Sequence, residues 1–360
     1  MVLRTLPRAC ARAFSSTTVP ARQTRVVLRE RAVGNPEAKH FAVETDAPVP
    51  ALRTSTVLVK NAFVGVEPAM KGWISTSQNY ASVPVGATMA AFGVGRVVAS
   101  ALDGFAVGDL VAGRTGWQEY GIADPSEPLF RKVEALPAQC AESVALGALG
   151  INGLTAYLGL EKTAPRKGET VLVSTAAGGV GSAVGQLARA AGCRAVGLAG
   201  GPEKAARCLS DYGYSAAVDY RSRATADADG LRAAIADACP DGIDVFYDMV
   251  GGRVLDAVVP LLNVGGRVLV VGTAGTAAWS PPPLGNRLER NLLVQRSSMA
   301  GFLVFDHADR FPGALADLGA MIGAGDLAYD EDVRPGLAAA PAALADLYAG
   351  ANTGRVLIAV

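Results

Sequence analysis

The segment Thr170-Val-Leu-Val-Ser-Thr-Ala-Ala-Gly-Gly-Val-Gly-Ser182 restricts the fold of this chain more than any other. Its β-branched, apolar start at 171–175 predicts a strand, and the glycines after it predict a tight turn. Val180, Val184, Leu187 and Ala191 then recur at i, i+4, i+7 and i+11, one apolar stripe at helical period. A helix that opens directly after a strand points its first unpaired N–H groups, and the positive end of its dipole, into the turn. Glycine lets other groups approach closely there, so strand, turn and helix together form a diphosphate site. Glycines alone would say little in a chain where they are 42 of 360 residues. The strand before, the stripe after and a second strand at 194–199 make this a βαβ dinucleotide-binding unit.

The alternation continues beyond it. Strands are expected at 171–175, 194–199, 216–218, 243–247 and 267–271, with helices at 180–191, 203–211, 228–238 and 252–262 between them. That is an α/β pattern, a doubly wound parallel sheet. The chain before it reads differently. From Val26 to about Leu146, short strands such as 56–60, 93–98 and 109–112 lie between Gly, Pro and Asp turns, which suggests an irregular β domain. A length of 360 residues exceeds the usual single core, and a half-hydrophobic composition can fill two. The expected organisation is a leader over 1–24, the β domain over 25–147, the dinucleotide domain over 148–313 and a tail over 314–360. The tail ends on a strand, Arg355-Val-Leu-Ile-Ala-Val360, as a chain returning to pair with the first domain would.

Charge and composition exclude several functions. With 33 basic and 33 acidic residues and no basic stripe, no nucleic-acid partner is expected. No uncharged apolar run reaches the ~20 residues of a membrane span. Cys10, Cys140, Cys193, Cys208 and Cys239 are scattered, and His40 and His307 have no neighbours at ligand spacing, so no metal is expected. The first 29 residues hold six arginines and no acid, and 8–18 is rich in hydroxyls. This is the composition of a mitochondrial transit peptide. The alternative is a mis-assigned start, which would leave a cytoplasmic protein. In Ala278-Trp-Ser-Pro-Pro-Pro-Leu-Gly-Asn286 the prolines exclude regular structure, giving either a lid or an ordinary connection.

Six motifs, in this order, resemble the zinc-independent medium-chain dehydrogenase/reductases. They are Phe63-Val-Gly-Val-Glu-Pro-Ala-Met-Lys-Gly-Trp73, Leu149-Gly-Ile-Asn-Gly-Leu-Thr-Ala-Tyr-Leu-Gly-Leu160, the glycine turn, Gly200-Gly-Pro-Glu-Lys204, Met299-Ala-Gly-Phe302 and Ala351-Asn-Thr-Gly-Arg355. Within that family the resemblance is to the prostaglandin reductase, leukotriene B4 12-hydroxydehydrogenase, curcumin reductase and 2-alkenal reductase group. It implies a GroES-like β domain beside a Rossmann domain, nicotinamide in the cleft between them, and a homodimer.

An NAD-specific unit places an acid at the tip of its second strand. Here the tip is Ala199-Gly200-Gly201 and Lys204, one of seven lysines, follows at once; Glu203 reads as a helix-start residue. The resemblance adds Tyr220 against the adenosine phosphate, and NADP(H) is the expected cofactor. It also implies that Gly178, Gly179, Val180 and Gly181 hold the diphosphate and that Gly272 and Thr273 line the dinucleotide. Phe302, Leu303 and Val304 would present backbone to the carboxamide, Asn352 would reach the cofactor, and Thr155 would flank the nicotinamide. Met249 stands where relatives commonly have Asn, and Gly275-Thr-Ala277 where they often have a Ser-x-Tyr run.

The family's chemistry is hydride transfer to the β-carbon of an activated alkene, with protonation of the resulting enolate at the α-carbon. It needs geometry and a hydrogen bond to the developing oxyanion, with no nucleophile or metal. Tyr80 is the expected carbonyl-orienting residue, and Trp73, Trp117 and Trp279 are candidates for an apolar pocket wall. The expected activity is NADPH-dependent reduction of the C=C bond of α,β-unsaturated aldehydes and ketones, with a small enal or enone as partner. The alternatives are an NADPH quinone reductase and an NADPH-binding scaffold that has lost turnover.

Overall fold

The computed structural model describes residues 19–360 apart from 77–80, 277, 278, 280 and 282. β1 (Arg22–Leu28) and β2 (Phe41–Pro48) form an antiparallel ribbon. The Val-rich β3 (Val57–Gly65) is buried on both faces because it lies inside a seven-stranded sheet. α1 (Met70–Ile74) follows, a single turn too short to show as a stripe, which buries Met70, Trp73 and Ile74. β4 (Phe92–Ser100), β5 (Leu110–Arg114), β6 (Tyr120–Ala123) and β7 (Arg131–Lys132) complete this domain's own strands.

α2 (Ile151–Thr163) carries the chain to the second sheet. It was not among the helices expected from sequence, because burial on nearly every side erases the polar face that defines a stripe. The βαβ series then runs β8 (Thr170–Val173), α3 (Gly181–Ala190), β9 (Arg194–Ala199), α4 (Pro202–Ser210) and β10 (Ala216–Asp219). It continues through α5 (Ala228–Ala238), β11 (Ile243–Asp248), α6 (Gly252–Val258) and β12 (Leu262–Val270). α7 (Glu289–Gln295) and β13 (Ser298–Gly301) end the sheet, and α8 (Phe311–Ala324) packs on α2.

All six strands are parallel, in the order β10-β9-β8-β11-β12-β13, so the winding reverses between β8 and β11. That reversal opens a crevice at the carboxyl ends of these two strands. Two expectations are corrected here. The helix expected over 252–262 stops at Val258, where Pro260 forces a tighter 3-10 turn, and β12 begins at Leu262 rather than 267. β13 was not expected as a strand; Ser-Met-Ala-Gly has no β-branched residue and is held by pairing with β12.

β14 (Glu331–Pro335), α9 (Ala340–Ala349) and β15 (Arg355–Ala359) form the tail. β15 pairs antiparallel with β3, Leu357 opposite Gly65, so the chain ends inside the first domain's sheet. The apolar cores lie on the two faces of the parallel sheet and beneath the first sheet, where the tail's Val356, Leu357 and Ile358 are buried with α9.

Candidate functional site

The turn from β8 to α3 is narrower than its sequence suggests. Thr175, not a glycine, takes the left-handed conformation at φ 48°, and Gly178 N–H donates to Thr175 O at 2.8 Å. A Cβ on Gly181 would overlap Thr175 O, and one on Gly179 would lie 3.0 Å from Asn152 Nδ2. The turn is therefore packed from below by its own backbone and from the side by α2, and the N–H groups of Ser182, Ala183 and Val184 are already bonded to its carbonyls. The stripe expected on α3 is only partly right. Val184 and Leu187 are buried, Val180 is half-buried and Ala191 is exposed, while every residue from Gly181 to Ala188 is buried. The helix is enclosed by sheet, α2 and the Tyr214 ring, whose hydroxyl donates to Gly181 O at 2.6 Å.

Beyond β9, Gly201 at φ 106° starts α4, with Pro202 in its first turn. Lys204 Nζ donates to Gly350 O at 2.8 Å, and Arg221 donates to Ala349 O at 2.8 Å. Both cations thus rest on the last carbonyls of α9, and neither has a carboxylate partner among the described residues. Burial, with the Arg221 and Arg207 guanidiniums nearby, holds the Lys204 ammonium below its usual value. Tyr220 closes the third side, its hydroxyl 2.8 Å from where a Cβ on Gly200 would lie, and the Arg221 guanidinium stands 5.9 Å from its ring centroid. The structure brings the expected Lys204 and Tyr220 together with Arg221, which was not among the expected residues, although a second cation directly after the third strand was the available signal. Nor was a carboxylate near the strand tip expected. Asp219 Oδ1 accepts the N–H groups of Gly201 at 2.8 Å and Arg221 at 2.9 Å, shaping the loop.

At the other end of the crevice Asp248 ends β11 fully buried. Its Oδ1 accepts the N–H groups of Val250 at 2.9 Å and Gly251 at 3.0 Å, and Ser174 Oγ donates to it at 3.4 Å. Burial pushes its carboxyl above the usual range, against the pull of those donors. The left-handed Gly251 and Gly252, φ 67° and 54°, complete the turn that Asp248 orders. Met249 presents its sulfur to the Thr175 hydroxyl at 3.6 Å. A Cβ on Gly272 would lie 3.1 Å from Met249 O, and the Thr273 side chain lies against Gly251. Asn352, 7% exposed, donates to Gly354 O, and Gly354 bridges to Gly178 of the turn. Phe302 is buried after β13 and stacks on His307 at 5.2 Å; Val304 is buried and Leu303 is 36% exposed. Thr155 sits on α2, its hydroxyl donating to Ile151 O and its carbonyl accepting the buried Tyr247 hydroxyl, both at 2.6 Å. Tyr80 lies outside the described residues.

The first domain closes over this rim. Lys71 of α1 reaches Thr276 O at 2.6 Å and Asn35 Oδ1 at 3.0 Å, with burial lowering its ammonium from the usual value. Phe92 meets Phe305 at 6.1 Å, and Arg355 pairs with Glu67 in a buried, two-pronged contact. The tryptophans do not line a common pocket. Trp117 is a core residue donating to Gly65 O, Trp73 is buried under Arg114, and Trp279 is 53% exposed. His40 accepts the Glu37 N–H.

A glycine cradle at the switch point, with two cations beyond the next strand that form no salt bridge among the described residues, fits a dinucleotide carrying a 2′-phosphate. Fold and site together define a two-domain dinucleotide-dependent oxidoreductase. Residues 24–130 match the family described as N-terminal domain of oxidoreductase, and 179–319 the one described as zinc-binding dehydrogenase. Among the described residues no three His, Cys, Asp or Glu side chains converge to hold a metal ion. A Bacillus subtilis protein named as an NADP-dependent oxidoreductase is 38% identical, covering 94% of this chain and 98% of its own. The 2-alkenal reductase (NADP(+)-dependent) of Nicotiana tabacum is 35% identical, covering 93% and 96%. The crystal structure of CurA in complex with NADPH from Vibrio vulnificus aligns with a TM-score of 0.85 at 34% identity, covering 94% and 99%. The chain belongs to the zinc-independent medium-chain dehydrogenase/reductases.

Proposed function

We propose that this chain is an NADPH-dependent reductase of the C=C bond of α,β-unsaturated aldehydes and ketones. The observation that carries the cofactor is the Lys204–Arg221 pair, two cations held only by carbonyls beside the second strand of the parallel sheet. The likeness to a 2-alkenal reductase supports the substrate class. Bound NADPH would supply a hydride to the substrate's β-carbon. The turn ahead of α3 would hold its diphosphate, and Lys204, Arg221 and Tyr220 its 2′-phosphate. Gly272, Thr273 and the turn ordered by Asp248 would form the wall at the nicotinamide end. The Lys71–Thr276 and Phe92–Phe305 contacts close the two domains on each other, which would exclude water and fix the approach of the alkene. We assign the hydrogen bond to the developing enolate oxygen to Tyr80; Tyr80→Phe should lower kcat about a hundredfold while NADPH affinity stays unchanged.

Incubation of the purified chain with NADPH and a panel of enals, enones and quinones tests the reading. Cofactor oxidation by enals or enones supports it, turnover confined to quinones would replace it, and none on any acceptor would remove it. Homodimerisation is supported by the open edge of the parallel sheet, where α7 buries no side chain and Leu293, Val294 and Val264 are 77%, 59% and 66% exposed. Leu293→Glu should then shift the mass in solution to that of one chain. Residues 1–18 lie outside the described structure; mitochondrial import is supported by their arginine-rich, acid-free composition. Fusing residues 1–24 to a fluorescent protein and locating it in cells tests that.

A further inference from the structure

A buried amide beside the diphosphate turn is left unused by the fold. Asn152 is 8% exposed, and its Oδ1 is buried without a hydrogen-bond partner. It is the second residue of α2, at a helix start whose own donors are also free. The first N–H groups to bond there are those of Gly153, to Gly147 O at 3.1 Å, and Leu154, to Gly150 O at 3.0 Å. Those of Ile151 and Asn152 find no acceptor among the described residues. The nitrogen end of the amide borders the turn, 3.0 Å from where a Cβ on Gly179 would lie. Buried polar atoms in folded proteins are nearly always bonded, and an apolar side chain of the same size would pack α2 without leaving an orphan. The persistence of this one calls for a donor from outside the chain.

Resting on the NADPH reading, we propose that Asn152 is a cofactor ligand whose carboxamide holds the nicotinamide half of the dinucleotide. The cofactor's own chemistry selects that half. Ionised phosphates carry acceptors only, so neither the diphosphate nor the 2′-phosphate satisfies Oδ1. The donors able to reach the turn are the nicotinamide carboxamide N–H2 and the hydroxyls of its ribose. The adenosine donors belong with Lys204 and Tyr220, beyond the next strand. Asn152 thus returns a polar amide to a rim where Met249 stands in the place relatives fill with Asn. Both residues border the turn, Met249 through Thr175 and Asn152 through Gly179.

Asn152→Leu keeps the volume and removes both polar ends. Equilibrium titration with NADPH is run beside titration with 2′,5′-ADP, which carries the phosphorylated adenosine but no nicotinamide or second ribose. The expected result is roughly tenfold weaker NADPH binding, the worth of one uncharged hydrogen bond. The 2′,5′-ADP affinity should be unchanged, and the melting temperature equal to or above that of the wild type. Unchanged NADPH affinity overturns the assignment and returns Oδ1 to an ordered water. An equal loss for both ligands overturns it too, since that is the mark of a damaged turn. If the leucine variant does not fold, Asn152→Ala read by the same pair of titrations decides. In the wild-type chain 3-acetylpyridine adenine dinucleotide phosphate lacks the carboxamide N–H2 but keeps the ribose hydroxyls. Weaker binding than NADP+ assigns the donor to the carboxamide, and equal binding assigns it to the ribose. A wild-type chain that takes up no NADPH would overturn this assignment together with the reductase reading.

Discussion

Lys204 is the side chain on which the proposed choice of cofactor rests. Its ammonium is half-buried, depressed by burial and by two guanidiniums, and bonded only to a carbonyl. A dianionic phosphate offers it what the chain does not. Lys204→Ala should weaken NADPH about ten- to a hundredfold, the worth of a charged hydrogen bond, and leave NADH nearly unchanged. Parallel titrations check this, and equal losses for both cofactors would discard the assignment. Asp248 acts in the opposite sense, as a carboxylate whose charge is a liability. Its folded value is raised, so its contribution to stability is fully present below the unfolded value and is lost as pH rises through the folded one. Asp248→Asn keeps an oxygen for the Val250 and Gly251 N–H groups without the buried charge. Its stability relative to wild type should therefore improve as pH rises from about 4, the unfolded carboxyl value, through the raised folded one, in urea titrations. Asp248→Ala leaves those two donors unsatisfied and should cost about 1–3 kcal/mol for each.

At the scale of elements, α3 is the most demanding, because it is enclosed rather than amphipathic. A Cβ on Gly185 would run into the Tyr214 ring, the same ring whose hydroxyl supports the start of the helix. Gly185→Ala should destabilise the fold by about 1–3 kcal/mol through overpacking, measured by chemical denaturation. Paired with Tyr214→Leu it should cost less than the sum of the two single changes, since both act on one contact. The same enclosure decides what the sequence could reveal. β9 and α5 were legible to the residue, because a short, almost wholly apolar run between a glycine turn and a glycine tip and a capped, periodic helix carry local signals; Asp227 caps α5 by accepting the Gly230 N–H at 2.7 Å. α2 and β13 were not, since one lacks a polar face and the other is a strand only through its neighbour. In the site, Lys204 could be read because lysine is rare here and follows a glycine tip. Arg221 and Asn152 acquire meaning only when α9 and the turn are brought beside them in space.

Across the whole molecule, the tail ties the crevice to the first domain. Arg355 begins β15, next to Gly354, which bridges to the turn between β8 and α3, and its stem packs beside Gly179. Its guanidinium is 4% exposed, gripped by Glu67 at the end of the β3 segment and bonded to Val66 O at 3.0 Å. Glu331 of β14 lies within its field; burial raises that carboxyl, and a bond from Ser143 and the Arg355 charge hold it down. One cation thus serves two acidic groups drawn from opposite ends of the sequence. Arg355→Leu strands a buried charge, and should destabilise the chain by about 3–5 kcal/mol. The deficit should also depend on pH in a way that a simple packing defect would not. Without the guanidinium the Glu331 value rises further above its unfolded one, and stability from a raised carboxyl is lost as pH increases through the folded value. The gap between wild type and variant should therefore be wider near pH 8 than near about pH 5 in denaturant titrations. A gap of the same size at both would mean that Arg355 matters for its shape alone. NADPH affinity should fall with stability in this variant, because the strand that holds Asn352 and Gly354 against the turn is the one Arg355 anchors.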